Sequence, residues 1–104
     1  MGGFNTLPNP SNTMDLATRD IHLKRLEYIL ELPRDDQNAV AQQLCEIWRD
    51  KLWEVSDDSF DEFAQNEYEM SEADAFIIMK AAASAGVFPE DVVEKINAEF
   101  ERLG

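Results

Sequence analysis

The chain has 104 residues, with 22 Asp and Glu against nine Lys and Arg, a formal net charge of −13, 44% hydrophobic residues and ten aromatics. This length suits one domain around one core. The apolar and aromatic content separates the chain from acidic disordered tails, and the charge disfavours direct contact with nucleic acid or anionic lipid while favouring basic protein partners.

Cys45 is the single cysteine, which leaves no internal disulfide and no thiolate cluster, so a reducing cytoplasm is the expected setting. The first ten residues carry neither a basic nor an apolar leader segment, and no apolar run approaches the roughly 20 residues of a membrane span. Neither export nor membrane insertion is expected.

Residues 1–12, with two Gly, two Pro and three Asn, read as a flexible amino-terminal arm, and 13–104 as a single helical domain. From about Asp15 to Leu32, the recurrence of Leu16, Leu23, Leu26, Ile29 and Leu30 predicts a first helix, capped by Thr13 or Asp15 and ended by Pro33. Pro33 suits the first position of a second helix, with Asp35 and Asp36 at the positive end of its dipole. Val40, Leu44, Trp48, Leu52 and Val55 form an i, i+4 stripe that carries this helix to about Glu54. Ser59 and Glu62 make a capping box for a shorter third helix bearing Phe60, Phe63, Ala64 and Tyr68.

Ser71 and Asp74 announce a fourth helix over Glu72 to Ala85, apolar almost all round except at Lys80, which predicts burial. Gly86 marks its left-handed stop and Pro89 the next start, and Val92, Val93, Ile96, Phe100 and Leu103 stripe a last helix. No segment alternates as a strand would. The expected fold is all-α: a compact bundle of about five helices closed by a carboxy-terminal helical hairpin.

The most informative tract runs from Leu52 to Met79, with nine acidic residues, no Lys or Arg, and five aromatics. Carboxylates one turn apart can present a row of charge comparable to a phosphate backbone, attractive to a protein that binds nucleic acid through Lys and Arg. Asp58, Glu62 and Glu69 are predicted on one face, flanked by Asp61 and Glu72. The candidate partner-binding residues are Trp53, Glu54, Asp57, Asp58, Asp61, Glu62, Tyr68 and Glu69, with Trp53 or Tyr68 supplying the desolvated aromatic contact.

Two short patterns offer alternatives. Ala82, Gly86, Val87 and Val92 are spaced as in a helix-turn-helix, which they resemble over under a fifth of the chain. The second helix, however, would offer Glu90, Asp91, Glu94, Glu99 and Glu101 against only Lys95 and Arg102, a surface that repels phosphate. This points to an oligomeric regulator or assembly chaperone that no longer binds DNA, with Val87, Phe88 and Phe100 as a homodimer patch. Asp58-Ser59-Phe60 resembles the Asp-Ser-Leu of acyl carrier proteins, which implies a phosphopantetheine on Ser59; the following Gln65, Asn66 and Glu67 depart from that family's aliphatic stripe.

Nothing points to catalysis, a metal or a cofactor. Asp58 opens no calcium loop, because Phe60 takes the second ligand position and no central glycine follows. His22 is the single histidine, Cys45 lies on an apolar stripe, and no phosphate loop, nucleophile elbow or zinc-protease motif occurs. The expected function is that of a small acidic inhibitor or regulator occupying a basic, nucleic-acid-binding surface of another protein. Small acidic proteins of phages and mobile elements act in this way on restriction and CRISPR complexes, an analogy of size, charge and compactness alone.

Overall fold

The computed structural model describes residues 15–103. Five α-helices follow in order: α1 Leu16–Leu30, α2 Gln37–Arg49, α3 Phe60–Tyr68, α4 Glu72–Ser84 and α5 Glu90–Leu103, with a 3-10 turn at Leu52–Val55 between α2 and α3. There is no strand among the described residues, and the fold is the expected all-α bundle. The amino-terminal arm over residues 1–12 and the alternative cap Thr13 lie outside the described residues.

Short polar side chains start the first four α-helices, taking up backbone N–H groups that have no intrahelical partner. Asp15 accepts from Thr18 N–H at 2.8 Å, Asp36 from Asn38 at 3.1 Å, Ser59 from Glu62 at 3.1 Å and Ser71 from Asp74 at 3.1 Å. Because Asp36 caps from outside, α2 begins at Gln37, and Pro33 belongs to the linker rather than to the first turn. The linker is tied down elsewhere. Gln43 Nε2 donates to Pro33 O at 2.8 Å, while Arg34 donates to the Glu67 carbonyl at 2.7 Å and stacks 4.0 Å above the Tyr68 ring.

The second helix also stops earlier than its stripe predicts. Asp50 ends it and Lys51 turns left-handed at φ 55°, so the chain re-enters as a 3-10 turn that buries Leu52 and Val55. This turn and the end of α2 form the seat of α1, which contributes Leu26 and Ile29 to the core. Leu16 and Leu23, placed on the same predicted stripe, remain exposed because no other described element covers their side of the helix. Arg25 holds α1 to α2 through Glu46 at 2.5 Å and Asp50 at 2.8 Å.

Helix α4 packs against α2, α3 and α5, and Phe76 lies at the centre, edge-on to Trp48 at 4.9 Å and to Phe60 at 5.9 Å. Its burial is one-sided: Ala75, Phe76, Met79 and Ala82 face the core, whereas Ala73, Ile77 and Ala81 are exposed. The expectation of burial all round fails because α5 and α2 leave an outer strip uncovered. At the α4 terminus Val87 N–H reaches Ala82 O and Gly86 N–H reaches Ala83 O, both at 3.1 Å, with Gly86 at φ +82°. That is a Schellman stop, the position where glycine has no steric penalty. Lys80 Nζ closes the hairpin by donating to Asn97 Oδ1 at 2.8 Å. Among the described residues, no helix is long and apolar enough to cross a membrane.

Candidate functional site

The acidic tract occupies the 3-10 turn, α3 and the start of α4. Carboxylates gather there partly for a local reason: Asp61 and Glu62 lie in the first turn of α3, and Glu72 and Asp74 in the first turn of α4, where the helix dipole favours negative charge. The tract is nonetheless free of ion pairs. Among the described residues the ion pairs are Lys24–Asp20, Arg25–Glu46, Arg25–Asp50, Arg49–Asp50 and Arg102–Glu99, and none involves any of the nine tract carboxylates.

These nine divide into two kinds. Glu54, Asp58, Glu62, Glu67, Glu69 and Asp74 are exposed. Asp57, Asp61 and Glu72 are half-buried and engaged inside the molecule. Asp57 accepts from the Ser56 hydroxyl at 2.8 Å and from Asn66 Nδ2 at 2.9 Å. Asp61 accepts from Gln65 Nε2 and, across the bend, from the Glu72 backbone N–H, both at 2.8 Å. Burial pushes the Glu72 carboxyl above its ordinary value, with Asp61 and Glu99 adding repulsion and Arg102 working against them.

The predicted single row is split in two. At the start of α3, Asp58 and Glu62 adjoin, with Asp58 N–H donating to Glu62 Oε1 at 3.3 Å. Ser59 acts there as a helix cap. Glu69 is not on the helical face at all: it is the left-handed residue that ends α3, at φ 58°. It lies instead beside Asp74, where Gln65, Glu69, Met70, Ser71 and Asp74 line a shallow depression of about 490 Å³. About 13 Å, the length of the nine-residue α3, separates the two ends.

Of the two aromatic anchors, Tyr68 is corrected outright. It is 8% exposed, its hydroxyl donates to buried Gln43 at 2.8 Å, and burial pushes its phenol up to about 12. It serves the core. Trp53 is half-buried against that core, and its Nε1 is enclosed without a hydrogen-bond partner, as is His22 Nδ1 on α1, the helix that packs on this turn. Cys45 is buried, its thiol pushed up to about 11 by that burial.

Met70, Glu67 and Asp74 share this surface with the candidate residues but were not singled out among them. The two carboxylates were visible in the unpaired tract itself, but the bend after Tyr68 that sets Met70 and Asp74 beside Glu69 has no glycine to announce it. No group of three or more His, Cys, Asp or Glu side chains among the described residues is arranged to hold a metal ion. Comparison with protein-family models, curated proteins and solved structures finds no match to this chain.

Proposed function

We propose that this protein binds a basic, nucleic-acid-binding surface of another protein through its acidic tract and thereby inhibits or regulates that partner. The observation that carries the reading is the set of six exposed carboxylates, Glu54, Asp58, Glu62, Glu67, Glu69 and Asp74, none of which has a Lys or Arg partner of its own. With no Lys or Arg in the tract itself, the field of these carboxylates acts outward. It would steer a basic partner and then pair with its Arg and Lys side chains, in competition with phosphate. The depression that Glu69 and Asp74 line together with Gln65, Met70 and Ser71 offers one apolar side chain beside two carboxylates, a setting suited to the stem and head of an arginine.

The reading is of a binding protein without catalytic chemistry, of the kind phages and mobile elements direct at restriction or CRISPR complexes. The test is capture from nuclease-treated cell extract with the native chain and with a Glu62→Lys, Glu69→Lys variant side by side. Both changes fall on exposed side chains, and since Glu62→Lys also removes the 3.3 Å acceptor for Asp58 N–H at the start of α3, matching helical circular dichroism is the control that the fold is kept. The expected result is recovery of a basic nucleic-acid-binding protein by the native chain alone, and displacement of that protein from its nucleic acid as the native chain is added. Capture of the same proteins by both chains, or of none, would return the tract to a solvated surface.

A further inference from the structure

Large apolar side chains are unevenly exposed. Leu16 is 84% exposed, Tyr28 69%, Ile21 59% and Leu23 38%, all on α1, and Ile77 on α4 is the fifth among the described residues. On α1 they form two rows. Leu16, Leu23 and half-buried Leu30 repeat every seven residues on one flank of the buried Leu26 and Ile29, and Ile21 and Tyr28, also seven apart, lie on the other. A groove of about 290 Å³ lined by Lys24, Arg25, Tyr28, Ile29, Leu32 and Glu46 adjoins the second row. It shares Ile29, Leu32 and Glu46 with a larger groove of about 530 Å³ that reaches Val87 and Phe88.

Charge distinguishes this helix from the rest of the chain. Residues 15–34 contain four acidic and four basic side chains and are neutral, whereas residues 35–103 contain eighteen acidic and five basic and hold the whole net charge of −13. We propose that α1 is a self-association helix, its Ile21 and Tyr28 flank and the adjoining groove packing on the same surface of a second copy of this chain. Two copies that each carry −13 repel wherever their acidic parts come within a Debye length, about 8 Å at physiological salt. This neutral stretch is where they can meet, and its exposed Arg19 and Lys24 give a two-fold pairing basic side chains to set near Asp20 and Glu27 of the other copy. A basic partner drawn to the acidic tract has no corresponding reason to prefer α1.

The fifteen-residue helix is about 22 Å long, so the contact falls at the small end of stable interfaces and the dimer should be on the order of micromolar in strength. The sign of its salt dependence is informative. Salt screens the repulsion between remainders that hold −13 on each copy, a larger effect than its screening of the few opposite-charge pairs along α1, and leaves apolar contact intact, so dimerisation strengthens with salt, whereas charge-directed capture of a basic partner weakens. The failure of one reading is therefore visible apart from the other.

The test is sedimentation equilibrium of the full chain over about 5 to 500 µM at roughly 50 and 500 mM salt. The expected result is a mass rising from 11.9 kDa toward twice that value with concentration, and at lower concentration in high salt. An Ile21→Glu, Tyr28→Glu variant should stay monomeric throughout, with unchanged circular dichroism because both side chains are exposed. An Ile77→Glu variant should dimerise as the native chain does. A monomer at every concentration overturns the proposal and leaves α1 to another protein or to the chain's own residues 1–14. Dimerisation that survives the α1 substitutions but not Ile77→Glu also overturns it, and moves the contact to the strip formed by Ile77, Phe100 and Leu103.

Discussion

The Tyr68 hydroxyl donates a 2.8 Å hydrogen bond to Gln43 Oε1 inside the core, while Gln43 Nε2 donates to the carbonyl of Pro33, so one buried amide joins α2, α3 and the linker that follows α1. The Tyr68→Phe substitution removes the donor and leaves the buried Gln43 oxygen unpaired, at an expected cost of about 1–3 kcal/mol in urea unfolding. Gln43→Leu in the same chain should recover part of that loss, because the exposed Pro33 carbonyl can turn to water. A fully additive double mutant would show that the two side chains are not coupled. Burial raises the phenol from an ordinary 10.0 to about 12, so stability present below pH 10 is lost as pH rises toward 12, a decline that Tyr68→Phe should flatten.

Asp61 and Glu62 are neighbours in sequence with different work. Asp61 accepts from the Glu72 backbone N–H at 2.8 Å and thereby helps start α4, whereas Glu62 is exposed and accepts only the longer 3.3 Å bond from Asp58 N–H. The Asp61→Ala variant should lose about 1 kcal/mol of stability and Glu62→Ala less than about 0.5 kcal/mol, compared by their urea midpoints. Equal losses would remove the bridging role of Asp61. The same distinction explains why a charge reversal at Asp61 tests the fold as well as the partner, and why Glu62 with Glu69 makes the cleaner variant.

The helices and most of the core were legible because amphipathic period, Ser and Asp caps and the Gly86 stop are local signals that the tertiary structure left in force. Two features were not. The break after Asp50 depends on Lys51 adopting a left-handed conformation, a choice made by the burial of Leu52 and Val55 and not by any turn residue. The face of α1 was misread for a related reason: Leu16 and Leu23 have the spacing of core residues, but whether a stripe is covered depends on what packs there. At the site, charge could be counted in the sequence, yet which carboxylates are free and which hold the bend after Tyr68 is a matter of contacts between segments such as Asp61 and Glu72.

At Lys51, with φ 55°, a left-handed backbone costs a residue with a β-carbon roughly 1–2 kcal/mol, whereas glycine adopts it freely. Glycine also adds entropy to the unfolded chain, which offsets up to about 1 kcal/mol of the relief. Lys51→Gly should therefore raise stability by about 0.5 kcal/mol, while Lys51→Ala, which keeps the strain, should not. Denaturant unfolding of the three proteins decides it, and a loss of stability in the glycine variant would mean that the Lys51 side chain matters more than its backbone.

Glu72 sits in the first turn of α4, where the helix dipole favours a carboxylate, yet its pKa lies above the ordinary 4.5 because burial, then Asp61, then Glu99 disfavour its charge more than Arg102 supports it. A raised carboxyl means that the fold prefers the protonated form. Its contribution is therefore fully present below pH 4.5 and is lost as pH rises through the folded value, so at pH 7 the ionised side chain weighs against folding. Glu72→Gln keeps the shape and the backbone N–H that Asp61 accepts while removing the charge. It should raise the thermal midpoint at pH 7, by less in high salt where Asp61 and Glu99 are screened, and the difference should close below about pH 4, where the native side chain is protonated as well. A midpoint that falls at pH 7 would show that the dipole of α4 outweighs the crowding of Asp61 and Glu99, and that the carboxylate stabilises the bend it was expected to strain.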